Sequence, residues 1–150
     1  MSKIGWRLEG NERKYLEEVL SMGFRAGADG SFTTRFENAF AKHYKTEFAI
    51  AFNSGTTTMH AALLAMGANK ECEILTPALT PLMCGLAPFY TGATPVFVDS
   101  RKDTFLMDPE DIQRKITSKT KIILVTHMYG GVCDMNAIMK IAKDNNLNLV

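Results

Sequence analysis

The chain has 150 residues, of which 46% are hydrophobic and 22% are charged. This length and this apolar fraction fit one domain with its own core. A formal net charge of +1 at pH 7 excludes a strong field toward nucleic acid or an anionic membrane. No apolar run reaches the roughly 18 residues that cross a bilayer, and the first residues lack the apolar centre of a signal peptide.

The first two predicted elements are helices. Glu9–Leu20 places Tyr15, Leu16, Val19 and Leu20 on one face and ends at Gly23, before a loop over residues 24–30. The helix Thr33–Tyr44 carries an aromatic side chain every fourth residue, at Phe36, Phe40 and Tyr44. We interpret this aromatic stripe as core packing, with contact to a partner subunit as the alternative.

From residue 48 onward, strand and helix patterns alternate. The predicted strands are 48–52, 74–76, 95–98, 121–125 and 147–150, and the predicted helices are 59–66, 79–90, 108–116 and 134–143. The fourth apolar run, Lys121–Val125, is the clearest buried strand, and Asp108 and Pro109 form a strong helix start. This alternation predicts an α/β fold of three layers, a mostly parallel sheet with helices on both faces.

The organisation of the chain follows from these elements. We expect an N-terminal helical segment over residues 1–46 and an α/β core over residues 47–150. The sequence stops inside the apolar run Leu147–Val150, which resembles the start of a strand. We therefore expect the chain to be the N-terminal part of a larger protein.

Cysteine and histidine usage bears on compartment and metal binding. The cysteines are Cys72, Cys84 and Cys133, and the histidines are His43, His60 and His127. An odd number of cysteines without a Cys-x-x-Cys pair argues against a disulfide framework or a zinc site, and it fits a reducing cytoplasm. The histidines form no metal-binding spacing, so we expect no metal site. His127 ends a predicted strand, where a histidine is a functional residue or a packing residue.

The loop Asn53–Thr57 is the most informative candidate site. In an open parallel sheet, ligands bind outside the carboxyl ends of the strands, and this loop joins a predicted strand to a helix. Gly55 lets backbone approach a ligand, and the N–H groups of Thr56 and Thr57 are predicted to be unpaired donors. With the hydroxyls of Ser54, Thr56 and Thr57, they predict a phosphate-binding turn. The alternative is an ordinary helix cap, and no Walker or dinucleotide motif is present.

Several segments together resemble a known family. These are Asn53–Leu63, Thr76–Thr80 and Gly92–Asp99, with further similarity at Phe36, Glu37, Phe40, 120–124, 127–130 and Asp134. The chain resembles the sugar aminotransferases of the DegT/DnrJ/EryC1/StrS family, from about Arg25 to Val150. The resemblance implies the fold of aspartate aminotransferase, incomplete here, and the cofactor pyridoxal 5′-phosphate.

The resemblance also implies an activity and site residues. Such enzymes transfer an amino group, usually from glutamate, to a keto-sugar attached to a nucleotide, and they act as homodimers. By carry-over, Gly55, Thr56 and Thr57 bind the cofactor phosphate. Pro81 stands where the family commonly has an aromatic residue against the pyridine ring, so Pro81 is a candidate ring contact without a π-system.

The family's catalytic groups are not found in this sequence. The acid that pairs with the pyridine nitrogen would follow Val150, and the lysine that forms the Schiff base would come later. We therefore nominate no catalytic residue and expect the chain alone not to transaminate. Dehydration on the same cofactor, a non-catalytic module that binds a phosphorylated ligand, and an inactive structural fragment are the alternatives.

Overall fold

The computed structural model of the chain describes residues 10–23 and 32–150. The predicted loop over residues 24–30 and the first residue of the predicted helix Glu9–Leu20 therefore lie outside the described residues. The elements, in chain order, are α1 Glu12–Ser21, α2 Phe32–Tyr44, α3 Gly55–Ala65, β1 Glu73–Pro77, α4 Leu82–Tyr90, β2 Thr94–Val98, α5 Pro109–Lys115, β3 Thr120–Ile123, α6 Met135–Asp144 and β4 Asn148–Leu149. Residues 1–51 and 52–150 form two compact units.

The first unit contains α1 and α2. Arg35 on α2 forms an ion pair with Glu18 on α1 at 2.6 Å, and its guanidinium lies 4.4 Å from the centre of the Phe32 ring. The aromatic stripe of α2 is not in a core, because Phe36 is 57% exposed and Tyr44 is 60% exposed. The interpretation as core packing was therefore wrong for this chain. Spacing along a helix defines an apolar face but does not specify what covers it.

The apolar run 48–52 was predicted as a strand, and this prediction was wrong. The run is irregular, with Phe48 75% exposed and Ile50 73% exposed. A strand exists only where a neighbouring strand accepts and donates its hydrogen bonds. Among the described residues, this run pairs with no strand, and its Ala51 N–H donates instead to Glu37 Oε1 at 2.8 Å.

The second unit is built on a parallel sheet of order β2-β1-β3-β4. Neighbouring residues of a strand point to opposite faces, and both central strands show this. Ile74 and Ile122 pack with Leu63 of α3 and Ala87 of α4 in one buried cluster. The next residues along these strands, Leu75 and Ile123, belong to a second cluster that contains side chains of α5 and α6. The α/β fold with three layers and a parallel sheet is thus confirmed.

The helix boundaries follow their capping residues more than their apolar patterns. Asp108 accepts from the Glu110 N–H at 3.1 Å and Asp134 accepts from the Ala137 N–H at 3.0 Å, so α5 and α6 begin where acidic caps predicted. By contrast, α3 begins at Gly55, four residues before the predicted apolar start. Within the described part of the chain, no helix has the length and apolarity needed to cross a membrane.

Candidate anion-binding site

The N-terminus of α3 lies at the carboxyl edge of the sheet. Near its start, Met59 Sδ is 3.7 Å from the thiol of Cys84, whose carbonyl accepts from Thr76 Oγ1 at 3.3 Å near the end of β1. At the other end of α3, the carbonyl of Met66 accepts from Asn148 Nδ2 at 3.2 Å, where β4 begins. The helix therefore runs antiparallel to the strands. Its first turn opens at the edge where ligands of open parallel sheets bind.

The turn before α3 is a helix cap, and one of its backbone N–H donors already has a side-chain acceptor. Ser54 has extended backbone and its Oγ accepts from the Thr57 N–H at 3.3 Å. The Thr57 hydroxyl donates to Asn53 Oδ1 at 2.8 Å. The prediction that the Thr57 N–H is unpaired was therefore wrong. A serine cap satisfies this donor locally, although 3.3 Å is long for an N–H···O bond.

The other two amide donors of the turn have no acceptor among the hydrogen bonds of the described residues. The N–H groups of Gly55 and Thr56 belong to the first turn, where an α-helix offers no internal acceptor. A Cβ added at Gly55 would meet no atom within 4 Å. Asn53, Ser54 and Gly55 are exposed, and Thr56 and Thr57 are half-buried. Amide donors at a helix N-terminus, with room beside the Cα of Gly55, fit a phosphate monoester.

The loop after β1 leads into α4 at the same edge of the sheet. Pro81 is exposed and caps the N-terminus of α4, with its carbonyl accepting from the Cys84 N–H at 2.9 Å. Because the Met59–Cys84 contact joins the second turn of α3 to the first turn of α4, these two helices lie side by side and both begin at this edge. The predicted site residues Gly55, Thr56, Thr57 and Pro81 thus stand at the starts of two helices on one edge of the sheet.

The loop after β3 contributes to the same edge. Thr126 Oγ1 lies 3.2 Å from Thr80 Oγ1, which links this loop to the loop after β1. His127 is exposed, and its Nδ1 accepts from the Cys133 N–H at 3.3 Å. Cys84 and Cys133 are buried free thiols.

The carboxyl end of β2 is fixed by a buried acid that the sequence analysis did not single out for this role. Asp111 Oδ2 accepts from the Asp99 N–H at 2.7 Å and lies 2.9 Å from Lys115 Nζ. Burial raises the pKa of the Asp111 carboxyl, but the hydrogen bond from the Asp99 N–H and the cations of Lys115 and Arg114 lower it. The lowering effects are together larger, so the pKa falls below its ordinary value. The spacing of Asp111 and Lys115, four residues apart on one helix face, was the signal available in the sequence.

Metal binding finds no support in the part of the chain that the structure describes. No group of three or more His, Cys, Asp or Glu side chains in it is arranged to hold an ion.

The fold and the edge define a class: an α/β protein with a parallel sheet and an exposed helix N-terminus at its carboxyl edge. The sequence profile of the DegT/DnrJ/EryC1/StrS aminotransferase family matches residues 7–150. The chain belongs to this family.

Similar proteins agree with this assignment. The chain is 41% identical over 95% of its length to GDP-perosamine synthase of Escherichia coli O157:H7, and 40% identical over 96% of its length to that of Caulobacter vibrioides. It covers 39% and 38% of these two proteins, so it spans about two fifths of their length.

Solved structures show the same fold. The structure of 3-amino-5-hydroxybenzoic acid synthase superposes with a TM-score of 0.86 and 34% identity, over 97% of this chain and 38% of that one. NtdA of Bacillus subtilis, solved with the cofactor PMP bound, gives a TM-score of 0.84 and 34% identity, over 91% of this chain and 31% of that one.

Proposed function

We propose that this chain forms part of an aminotransferase that uses pyridoxal 5′-phosphate, and that the turn at Gly55, Thr56 and Thr57 binds the cofactor phosphate. The observation that carries the proposal is the exposed N-terminus of α3, which opens at the carboxyl edge of the sheet with vacant space in front of Gly55. The family match over residues 7–150 supports the same reading.

Each residue of the turn has a distinct task in this proposal. The N–H groups of Gly55 and Thr56 donate to the phosphate, and the absent side chain at Gly55 leaves room for it. Ser54 caps the first turn of α3 through the Thr57 N–H. Because this bond of 3.3 Å is weak, the Thr57 N–H donates to the phosphate instead when the phosphate binds. A helix N-terminus contributes about 0.3–1 kcal/mol at the surface and about 2 kcal/mol when partly buried, so it positions a phosphate without holding a cofactor alone.

Pro81 completes the chain's share of the cofactor site. Pro81 is the N-cap of α4, a helix that contacts α3, and we propose that its ring packs against the cofactor ring. When bound, the cofactor supplies the stabilisation of negative charge at carbon that transamination requires. The protein supplies orientation and the exclusion of water around it.

The substrate is proposed from the similar proteins. Relatives named for GDP-perosamine synthesis and a dTDP-amino-sugar transaminase indicate a nucleotide-linked keto-sugar, and glutamate is the proposed amino donor. A homodimer in the cytoplasm completes the proposal, which includes no nucleic acid and no membrane partner. Because no lysine of this chain matches the family's catalytic motif, we propose that the chain alone binds the cofactor and does not transaminate.

The substitution Gly55→Ala tests the phosphate site. The added methyl group meets no atom within 4 Å, so the fold tolerates it, but it occupies the space that the phosphate needs. Titration with pyridoxamine 5′-phosphate, which cannot form an imine with surface lysines, should show at least tenfold weaker binding (about 1.4 kcal/mol) for this variant. Equal binding by wild type and Gly55→Ala would contradict the proposal.

Two threonine variants give a matched comparison within the same helical turn. Thr56→Val removes a hydroxyl assigned to the phosphate, whereas Thr58→Val removes one that donates to the Ser54 carbonyl at 3.0 Å. Only the first should weaken binding of pyridoxamine 5′-phosphate. Ribose 5-phosphate serves as a second ligand, because equal affinity for it would favour a general module for phosphorylated ligands over a cofactor site.

A further inference from the structure

A cavity opens at the carboxyl edge of the sheet, between loops that are not part of the proposed phosphate site. Its volume is about 580 Å³, and its lining consists of Leu79, Thr104, Phe105, Met128, Tyr129 and Gly131. These residues come from the loops that follow β1, β2 and β3. The volume lies in the range of small-molecule sites, and no charged side chain lines it. We call this cavity the aromatic groove.

Phe105, which lines the aromatic groove, has a backbone conformation that is unfavourable for a phenylalanine. It sits at the end of a tight loop in which the Arg101 N–H donates to the Leu106 carbonyl and the Phe105 N–H donates to the Arg101 carbonyl, both at 2.9 Å. Its φ of 60° lies in the left-handed region, where glycine or asparagine is the usual residue. The ring is nevertheless 56% exposed, so burial does not compensate for this conformation.

Tyr129, which also lines the aromatic groove, likewise has a left-handed backbone conformation. The Gly131 N–H donates to the Met128 carbonyl at 2.8 Å, which closes a turn whose central residues, Tyr129 and Gly130, have φ of 53° and 80°. Turns of this kind favour asparagine or glycine at the position of Tyr129. The Tyr129 side chain is 81% exposed. Backbone strain of this kind concentrates at ligand sites, and here it occurs at two aromatic residues that line one cavity.

The lining points to a flat and uncharged ring as the occupant. Exposed aromatic side chains bind nucleobases by stacking, and this requires no charge in the cavity. Beside the aromatic groove, Lys102 is exposed on the same loop as Phe105 and has no ion-pair partner among the residues placed by the structure. A cation at this position complements phosphate groups attached to such a ring.

We propose that the aromatic groove binds the nucleobase of the nucleotide-linked substrate, with Phe105 and Tyr129 as the stacking residues. The groove shares Leu79 with the loop after β1 that also carries Pro81, so a substrate whose base lies in the groove extends along the edge toward the proposed cofactor ring. This inference rests on the proposed function, because it names a subsite for its substrate.

Glycine substitutions test the aromatic groove without threatening the fold. Phe105→Gly and Tyr129→Gly remove the rings and relieve the left-handed backbone, so both variants should be at least as stable as wild type. In a titration with guanosine followed by NMR, each variant should bind about tenfold more weakly, since stacking on an aromatic side chain contributes that much per base. Asn146→Gly is the matched control, because Asn146 also has a left-handed φ of 53° but lies before β4 at the opposite edge.

Guanosine carries no phosphate, so its binding is independent of the turn at Gly55. Gly55→Ala should weaken binding of pyridoxamine 5′-phosphate and leave guanosine binding unchanged. Binding of the cofactor analogue without any binding of guanosine or thymidine would overturn the groove proposal and leave the proposed function intact. Guanosine binding that the two glycine variants do not weaken would also overturn it. Guanosine binding without binding of the cofactor analogue would instead overturn the proposed function.

Discussion

Asp111 is the side chain that joins the last residues of β2 to the helix that follows. Its carboxylate accepts from the Asp99 N–H at 2.7 Å and pairs with Lys115, whose Nζ also donates to the Phe97 carbonyl at 2.6 Å. The Asp99 N–H has this carboxylate as its partner at the end of the strand. The carboxyl edge of the sheet is thus held by a group that titrates.

We expect the stability of the chain to fall in acid through Asp111. Its folded pKa is lowered, so its stabilising contribution is complete above the unfolded value of about 3.9 and is lost as pH falls through the folded pKa. Asp111→Asn should cost about 1–3 kcal/mol near pH 7 and progressively less below about pH 4. Urea unfolding between pH 3 and pH 7 measures this difference. Asp144→Asn, which removes an exposed acid of α6, is the control, and a cost for Asp111→Asn that does not change with pH would contradict the assignment.

Ser54 has a structural role that is separable from phosphate binding. Because its Oγ caps the Thr57 N–H, Ser54→Ala should lower the free energy of unfolding by about 0.5–1 kcal/mol. Asp134→Ala, which removes the cap of α6, should cost a similar amount and leave binding of pyridoxamine 5′-phosphate unchanged. Denaturant titration with and without this ligand separates the two effects. A Ser54→Ala variant that is as stable as wild type would show that the cap contributes nothing.

At the scale of elements, α3 owes its position to the side chains that it buries. Leu63 is fully buried against β1 and β3, whereas its neighbour Leu64 is 50% exposed. Leu63→Ala should therefore destabilise the chain by about 2–5 kcal/mol, because it removes packed methyl groups and leaves a cavity. Leu64→Ala is the matched control and should change the free energy of unfolding by about 0.5 kcal/mol or less. Similar costs for the two variants would contradict the packing of α3 on the sheet.

The sequence predicted some of these elements well because their signals are local. Capping acids such as Asp108 and Asp134, and strands rich in isoleucine, depend on neighbours within a few residues. The prediction of a strand over residues 48–52 was wrong because a strand depends on a pairing partner elsewhere in the chain, which is not a local signal. The exposed stripe of α2 failed likewise, because its burial depends on what packs against it. The aromatic groove depends on three loops that meet only in the folded chain.

At the scale of the whole second unit, the parallel sheet gathers the candidate chemistry at one edge. The turn before α3, the cap of α4 and the loop after β3 come from separate parts of the sequence, and hydrogen bonds and sulfur contacts join them. The sequence predicted the turn before α3 at this edge for a reason that the structure does not support, because the run 48–52 in front of it is not a strand. The turn reaches the edge because α3 runs antiparallel to the strands. The hydrogen bond from the Thr57 N–H to Ser54 could not be predicted from the sequence, because a serine cap and an anion compete for the same donor.

The binding of pyridoxamine 5′-phosphate, mapped by the amide resonances of the chain, tests the central claim most directly. We expect the largest saturable shifts at Gly55 and Thr56, weaker shifts with pyridoxamine lacking the phosphate, and loss of the response in Gly55→Ala. A polar cavity lined in part by Asn69 and Lys119 at the opposite edge of the sheet offers the competing location. Shifts confined to that cavity, or an unchanged response in Gly55→Ala, would contradict a phosphate site at the start of α3.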